Sequence, residues 1–169
     1  KSELGKGSSF FFEIPLTYSP DSVKIETNSH AKKIETLDLN NIKILVVEDN
    51  KINQMITKKI LNKMNLVCEI VENGEDAIEH VKNTNYDVVL MDIHMPGISG
   101  IEATKIIRTF DKDLTIFALT AVTLEDKMQE FDEAGFTDII SKPFKQEDFE
   151  KKLYNALKKN QSIRASINQ

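Results

Sequence analysis

No stretch of this chain stays apolar over the ~18 residues that a membrane-spanning helix needs. No excess of lysine and arginine marks a nucleic-acid surface either, since the formal charge is −5. There is no tryptophan and only one cysteine. Cys68 lies in the apolar run Leu66-Val67-Cys68-Glu69-Ile70-Val71 and reads as a reduced core residue of a reducing compartment. Internal repeats and low-complexity tracts are absent. The chain opens on Lys1 with neither a start methionine nor a signal-peptide pattern, so it is expected to be part of a longer protein. At 169 residues, 40% of them hydrophobic, it can bury one ordinary core with some chain to spare.

What is present is a repeated placement of polar residues. Ile44-Leu45-Val46-Val47-Glu48-Asp49-Asn50, Val88-Val89-Leu90-Met91-Asp92, Ile116-Phe117-Ala118-Leu119-Thr120-Ala121 and Ile139-Ile140-Ser141-Lys142-Pro143 are each an apolar run ended by a chemically capable side chain. Short β-branched runs separated by helix-length stretches read as buried parallel strands of an α/β sheet. Ligands of such sheets bind outside the carboxyl ends of the strands. Asp49, Asp92, Thr120 and Lys142 are therefore aimed at one edge.

Strands are expected at about 42–47, 66–71, 87–91, 115–119 and 138–141, and helices at about 51–64, 74–83, 100–109, 124–134 and 145–159. Phe149, Leu153, Ala156 and Leu157 form one apolar face of the last helix, and Leu124, Met128, Phe131 and Ala134 one face of the fourth, which Gly135 should end. Five βα units of this size imply a compact three-layer domain over residues 42–160, with 161–169 as a C-terminal tail. Upstream, residues 1–16 hold a Gly5-Lys6-Gly7 turn leading into the aromatic run Phe10-Phe11-Phe12, and residues 17–41 have the composition of a linker, with a helical stretch open over 31–37.

If the sheet order is 2-1-3-4-5, the first and third strands are neighbours, and Glu48, Asp49 and Asp92 meet at the switch point. Two full charges about 5 Å apart repel by about 3 kcal/mol at an effective dielectric near 20. Such a cluster either raises its pKa values or holds a cation, and hard oxygen ligands with open positions favour Mg²⁺, with Mn²⁺ as a substitute. Thr120 and Lys142 would supply a hydroxyl and a positive charge to a transferring phosphoryl group. Asp92, between metal and lysine, is then the candidate nucleophile.

Each residue also has a plainer reading. Asp49 or Asn50 could only cap the helix that starts at Lys51, which leaves Glu48 unexplained. Thr120 and Lys142 taken singly are ordinary surface residues. The His94 side chain lacks a second histidine or cysteine at ligand spacing. His30 and His80 read as solvated, and Asp87, Asp111 and Asp113 as turn residues.

Val47-Glu48-Asp49-Asn50, the segment Leu90-Met91-Asp92-Ile93-His94-Met95-Pro96-Gly97, Ala118-Leu119-Thr120-Ala121 and Ser141-Lys142-Pro143-Phe144 together resemble the response-regulator receiver domain of two-component phosphorelays. The resemblance covers about 42–160. It implies a five-stranded parallel sheet of flavodoxin-like, doubly wound order 2-1-3-4-5 with five helices. It also implies that Asp92 accepts a phosphoryl group from a phosphohistidine. Glu48, Asp49, Asp92 and the backbone carbonyl of His94 would organise Mg²⁺, and Thr120 and Lys142 would contact the phosphoryl oxygens. The Lys142-Pro143 peptide is expected to be cis. Slow self-dephosphorylation and a conformational signal go with this reading.

Residues 2–16 resemble the closing hairpin of a histidine kinase ATP-binding domain, so kinase, linker and receiver would follow in the order of a hybrid sensor histidine kinase. The kinase's ATP-binding and phospho-accepting motifs are not in this sequence, which is expected neither to bind ATP nor to phosphorylate itself from it. The implied partners are a phosphohistidine domain, in cis or in trans, and a downstream histidine phosphotransfer protein, with no nucleic acid. A cytoplasmic domain is expected, in a parent protein anchored in the inner membrane. Residues 8–15 are expected to be disordered or to mediate self-association by strand addition.

Two positions depart from the receiver pattern. The switch position three residues before the lysine, often Tyr or Phe, is Ile139, so switching would rest on Thr120, the loop after it and the fourth helix. Ser99 stands where an acidic residue or asparagine is frequent and reads as an N-cap. A haloacid-dehalogenase-like phosphatase would want an aspartate at His94. A degenerate receiver acting only as an interaction module would not need all five polar groups. A flavin or nucleotide binder needs a phosphate-cradling loop where Asp49-Asn50-Lys51-Ile52-Asn53 stands.

Overall fold

The structure, a computed structural model, describes residues 2–3, 7–8, 39, 41–121 and 128–167. The chain divides into two compact units, Lys1–Ile34 and Glu35–Gln169. In the first, β1 (Ser2–Glu3) and β2 (Gly7–Ser8) pair antiparallel. The aromatic run and the segment expected to self-associate lie, apart from Ser8, outside the described residues.

The second unit alternates strands and helices: β3 (Ile44–Val47), α1 (Lys51–Lys63), β4 (Cys68–Val71), α2 (Gly74–Asn83), β5 (Val88–Asp92), α3 (Gly100–Arg108), β6 (Thr115–Thr120), α4 (Met128–Ala134), β7 (Asp138–Ser141) and α5 (Gln146–Ile167). The five strands are parallel in the order β4-β3-β5-β6-β7, which is 2-1-3-4-5 counted within the unit.

The three inner strands β3, β5 and β6 are buried at every position because both sheet faces are covered. Ile44, Val46, Val88, Leu90, Phe117, Leu119 and Ile140 pack with Ile60 and Leu61 of α1 and with Phe149, Leu153 and Leu157 of α5. The alternate residues Leu45, Val47, Val89, Met91 and Ile116 pack with α2 and α3. Ala118 and Ile139 instead meet Phe131 and Ala134 of α4 together with Ile93 and Ile101.

Helix starts follow cap chemistry. Asn50 accepts from the amides of Ile52 and Asn53, Asn73 from that of Asp76, and Ser99 forms a capping box with Glu102. Gly135 ends α4 at φ 88°, with its amide and that of Phe136 bonded to the Phe131 carbonyl.

Several expectations need correction. Met128 is 44% exposed. At about 100° per residue it stands roughly 90° from the centre of the Phe131 and Ala134 stripe, so three-residue spacing alone carries it out of the core. Leu124, and the expected start of α4, lie outside the described residues. The last helix runs past 159 to Ile167. Asn160 holds it by donating to the Asp87 carbonyl at 2.9 Å, and Ser162 and Ser166 bond back one turn. Cys68 is only partly buried, though that burial pushes its thiol pKa up. His80 is half-exposed but not merely solvated, since its Nδ1 lies 3.2 Å from the Tyr86 hydroxyl, which donates to Glu69 at 2.6 Å. Burial, then that bond, pushes the Tyr86 pKa far up.

Candidate functional site

Strand register assembles the site. Val47 pairs with Met91, Asp92 with Leu119, and Thr120 with Ser141, so Glu48, Asp92, Thr120 and Lys142 fall within one residue of a common level at the carboxyl edge. The Lys142 amide donates to the Thr120 carbonyl at 2.7 Å, which ties the last two together through the main chain. The Lys142-Pro143 peptide is cis.

Carboxylate oxygens of Glu48, Asp49 and Asp92 lie within 4.8 Å of one another. Glu48 is fully buried and Asp92 nearly so, at 6%, while Asp49 faces solvent. Lys142 Nζ sits 2.6 Å from Glu48 Oε2 and 2.9 Å from Asp92 Oδ2. One lysine against three carboxylates leaves two negative charges at one point, and a divalent cation matches that deficit. Because Asn50 caps α1, Asp49 is released from that task. The donor set is all oxygen and partly open to water, which suits Mg²⁺.

Thr120 is buried at the end of β6, and Ile139 is buried beneath α4 in β7. The His94 side chain is exposed, and its amide donates to Asp92 Oδ1 at 3.4 Å. The turn after Asp92 is held from two sides. Glu75 of α2 accepts from the Ile98 amide at 3.2 Å, next to Gly97 at φ 77°, and the Gly100 amide donates to the Ile93 carbonyl.

Sequence reasoning did not assign roles to Glu75, Asn53 or Gln54. Asn53 Nδ2 donates to Glu48 Oε1 at 2.9 Å, and Gln54 Nε2 to the Glu48 carbonyl at 2.7 Å. The available signal was two amides in the first turns of a helix that follows an acidic pair.

The family model for the response regulator receiver domain matches residues 44–154. The autoinducer 2 sensor kinase/phosphatase LuxQ of Vibrio vulnificus is 38% identical over 155 residues, covering 90% of this chain and 18% of that protein. The chain therefore spans less than a fifth of that relative's length. Among solved structures, the receiver domain of a Pseudomonas aeruginosa sensor histidine kinase, with magnesium coordinated in its active-site cleft, is 31% identical, with a TM-score of 0.64 over 69% of this chain and 97% of its own. The receiver domain of Saccharomyces cerevisiae Ssk1, crystallised with the histidine phosphotransfer protein Ypd1, is 32% identical, with a TM-score of 0.62 over 66% of this chain and 85% of its own.

Proposed function

Because this chain belongs to the response regulator receiver domain family of two-component phosphorelays, we propose that Asp92 is its phosphoacceptor, on the observation that, of the two cluster carboxylates that meet Lys142, Asp92 is the one that ends the central strand of the sheet. An Asp92 oxygen attacks the phosphorus of a phosphohistidine. The new P–O bond forms as the P–N bond breaks, and the electron pair returns to an imidazole already protonated on its other nitrogen. The charge moving onto the equatorial oxygens meets the Lys142 ammonium and the Thr120 hydroxyl.

Glu48, Asp49, Asp92 and the His94 carbonyl would hold Mg²⁺, or Mn²⁺ in its place. When bound, the ion screens the carboxylates from the incoming phosphoryl group and stabilises its oxygens. Slow loss of the phosphoryl group is hydrolysis of the acyl phosphate by water. The signal would pass from Thr120, as it turns toward the phosphoryl group, to Ile139 and α4, since Ile139 packs against Phe131.

The donor is a phosphohistidine domain, in cis or in trans, and a histidine phosphotransfer protein is the next acceptor. The Ssk1–Ypd1 complex supports this kind of partner. So does α1, which starts just after Asp49 and exposes Ile52 (68%), Met55 (71%) and Ile56 on its first turns. An imidazole that must reach Asp92 approaches past this apolar surface.

For the chain as a whole, the reading is a kinase hairpin over 1–16, a linker over 17–41, the receiver over 42–160 and a tail over 161–169 into which α5 continues as far as Ile167, from a hybrid kinase whose receiver faces the cytoplasm. Among the described residues no helix is long and apolar enough to cross a membrane. Deleting residues 1–36 should leave thermal stability and Asp92 phosphorylation nearly unchanged and reduce any self-association.

Incubation with Mg²⁺ and acetyl phosphate should add one phosphoryl group in the mass spectrum. The Asp92→Asn protein should add none, and its normal labelling would remove the assignment.

A further inference from the structure

We propose that Asn53 is a positioning residue for phosphoryl transfer, acting through Glu48. The inference rests on the receiver reading above. Glu48 is 0% exposed, so its carboxylate is shut off from bulk solvent and depends on the donors packed around it. Oε2 takes Lys142 Nζ at 2.6 Å. Oε1 takes Asn53 Nδ2 at 2.9 Å and only a longer contact, 3.3 Å, from the Asn50 amide.

The helix does not need this amide for its own start, because the Asn50 side chain already accepts from the Ile52 and Asn53 main chain. Nor does Asn53 fix the backbone of Glu48. Gln54, 9% exposed, does that through the Glu48 carbonyl at 2.7 Å. What remains to Asn53 is the rotation of the carboxylate.

The terminal torsion of a glutamate is soft. Without Asn53, Oε1 keeps only the longer Asn50 contact and the group can turn, so that Oε2 no longer defines where Lys142 sits between Glu48 and Asp92. A neutral donor suits this task. It orients the carboxylate while leaving its charge intact for the metal, whereas a lysine at position 53 would neutralise it. Asn53 therefore sets two things, the place of the Lys142 ammonium beside Asp92 and the direction in which Glu48 presents its charge.

The test uses the full chain, Mg²⁺ alone, and acetyl phosphate as donor, so that partner docking on α1 plays no part. Groups that orient metal ligands typically change affinity or activity by about tenfold or more when removed, and a fall of that size in Mg²⁺ affinity and phosphorylation rate is expected for Asn53→Ala. The Lys142 ammonium resonance in NMR should move in the metal-free variant, which a merely structural helix position would not cause.

Asn53→Asp keeps the shape but replaces the donor with an acceptor, and should also slow phosphorylation at saturating Mg²⁺. In a Glu48→Gln background Asn53→Ala should cost less than about a further twofold, since coupled residues do not add. A loss of the same size in both backgrounds, or wild-type rates and an unmoved Lys142 resonance in both Asn53 variants, would overturn the role of Asn53. If wild type itself takes no phosphoryl group, the receiver reading fails first; if it is labelled and the variants match it, only Asn53 is at fault.

Discussion

Lys142 Nζ lies 2.9 Å from Asp92 Oδ2, and the same ammonium is 2.6 Å from Glu48 Oε2. Both carboxylates are buried and the lysine side chain is only 15% exposed. One cation therefore holds two acids that would otherwise repel each other away from water. The residue read as contacting the phosphoryl group also holds the two acids together.

Replacing Lys142 by methionine should then strand two buried charges. Breaking a buried ion pair from one side typically costs about 3 kcal/mol or more. Denaturant unfolding in EDTA should show a loss of that order, and added Mg²⁺ should restore stability more in the variant than in the wild type. Equal stability of the two proteins in EDTA would mean that the ammonium is not what holds the acids together.

Gly100 begins α3 with no room for a side chain. A Cβ there would lie 2.0 Å from the carbonyl oxygen of Asp92 and 2.9 Å from its carbonyl carbon, both backbone atoms. Gly100→Ala should push α3 off the end of β5, with an overpacking cost of about 3 kcal/mol. Amide shifts at Asp92 and a lowered phosphorylation rate should accompany it. An alanine variant that melts with the wild type would show that this contact is not tight.

Ser99→Ala removes half of a capping box, at about 1 kcal/mol for the lost cap. Glu102 accepts from the Ser99 amide and hydroxyl, and these bonds hold its carboxyl below the usual glutamate range. A depressed carboxylate pKa gives stability that is present above the unfolded value and is lost as pH falls through the folded one. The stability gap between Ser99→Ala and wild type should therefore be wider at pH 7 than in acid. A gap that widens on acidification would contradict this arrangement.

Arg108 donates to three backbone carbonyls: Gly135 at 2.8 Å, Asp111 at 3.0 Å and Leu114 at 2.7 Å. It thereby ties the end of α3 to the start of β6 and the end of α4. Partial burial lowers its pKa, with Asp111 and Asp113 opposing. Arg108→Met should destabilise by about 3 kcal/mol, and Arg108→Lys should rescue little because an ammonium cannot match the guanidinium fork. Asp92 phosphorylation should persist below the new melting temperature. Wild-type urea midpoints for both variants would remove the clamp.

The sheet was legible in the sequence because parallel strands buried on both faces are written as unbroken apolar runs. Glu48, Asp92, Thr120 and Lys142 could be placed together because each directly follows or ends such a run. Ser99 and Gly135 were legible as caps because cap chemistry is local. Side-chain reach was not legible. Asn53 to Glu48, Glu75 to the Ile98 amide and His80 to Tyr86 depend on rotamers and on helix placement, which no periodicity encodes. The end of α5 escaped because its last turns are fixed by Asn160 and by serine back-bonds rather than by an apolar stripe.

An acyl phosphate on Asp92 can be caught directly by reductive trapping. Borohydride reduces an aspartyl phosphate to homoserine, so protein treated with acetyl phosphate and Mg²⁺, reduced and digested, should show homoserine at position 92 by peptide mass spectrometry. The same treatment in EDTA should leave aspartate there. Homoserine at Asp49 or at another carboxylate, or labelling at position 92 that does not depend on the metal, would contradict the account.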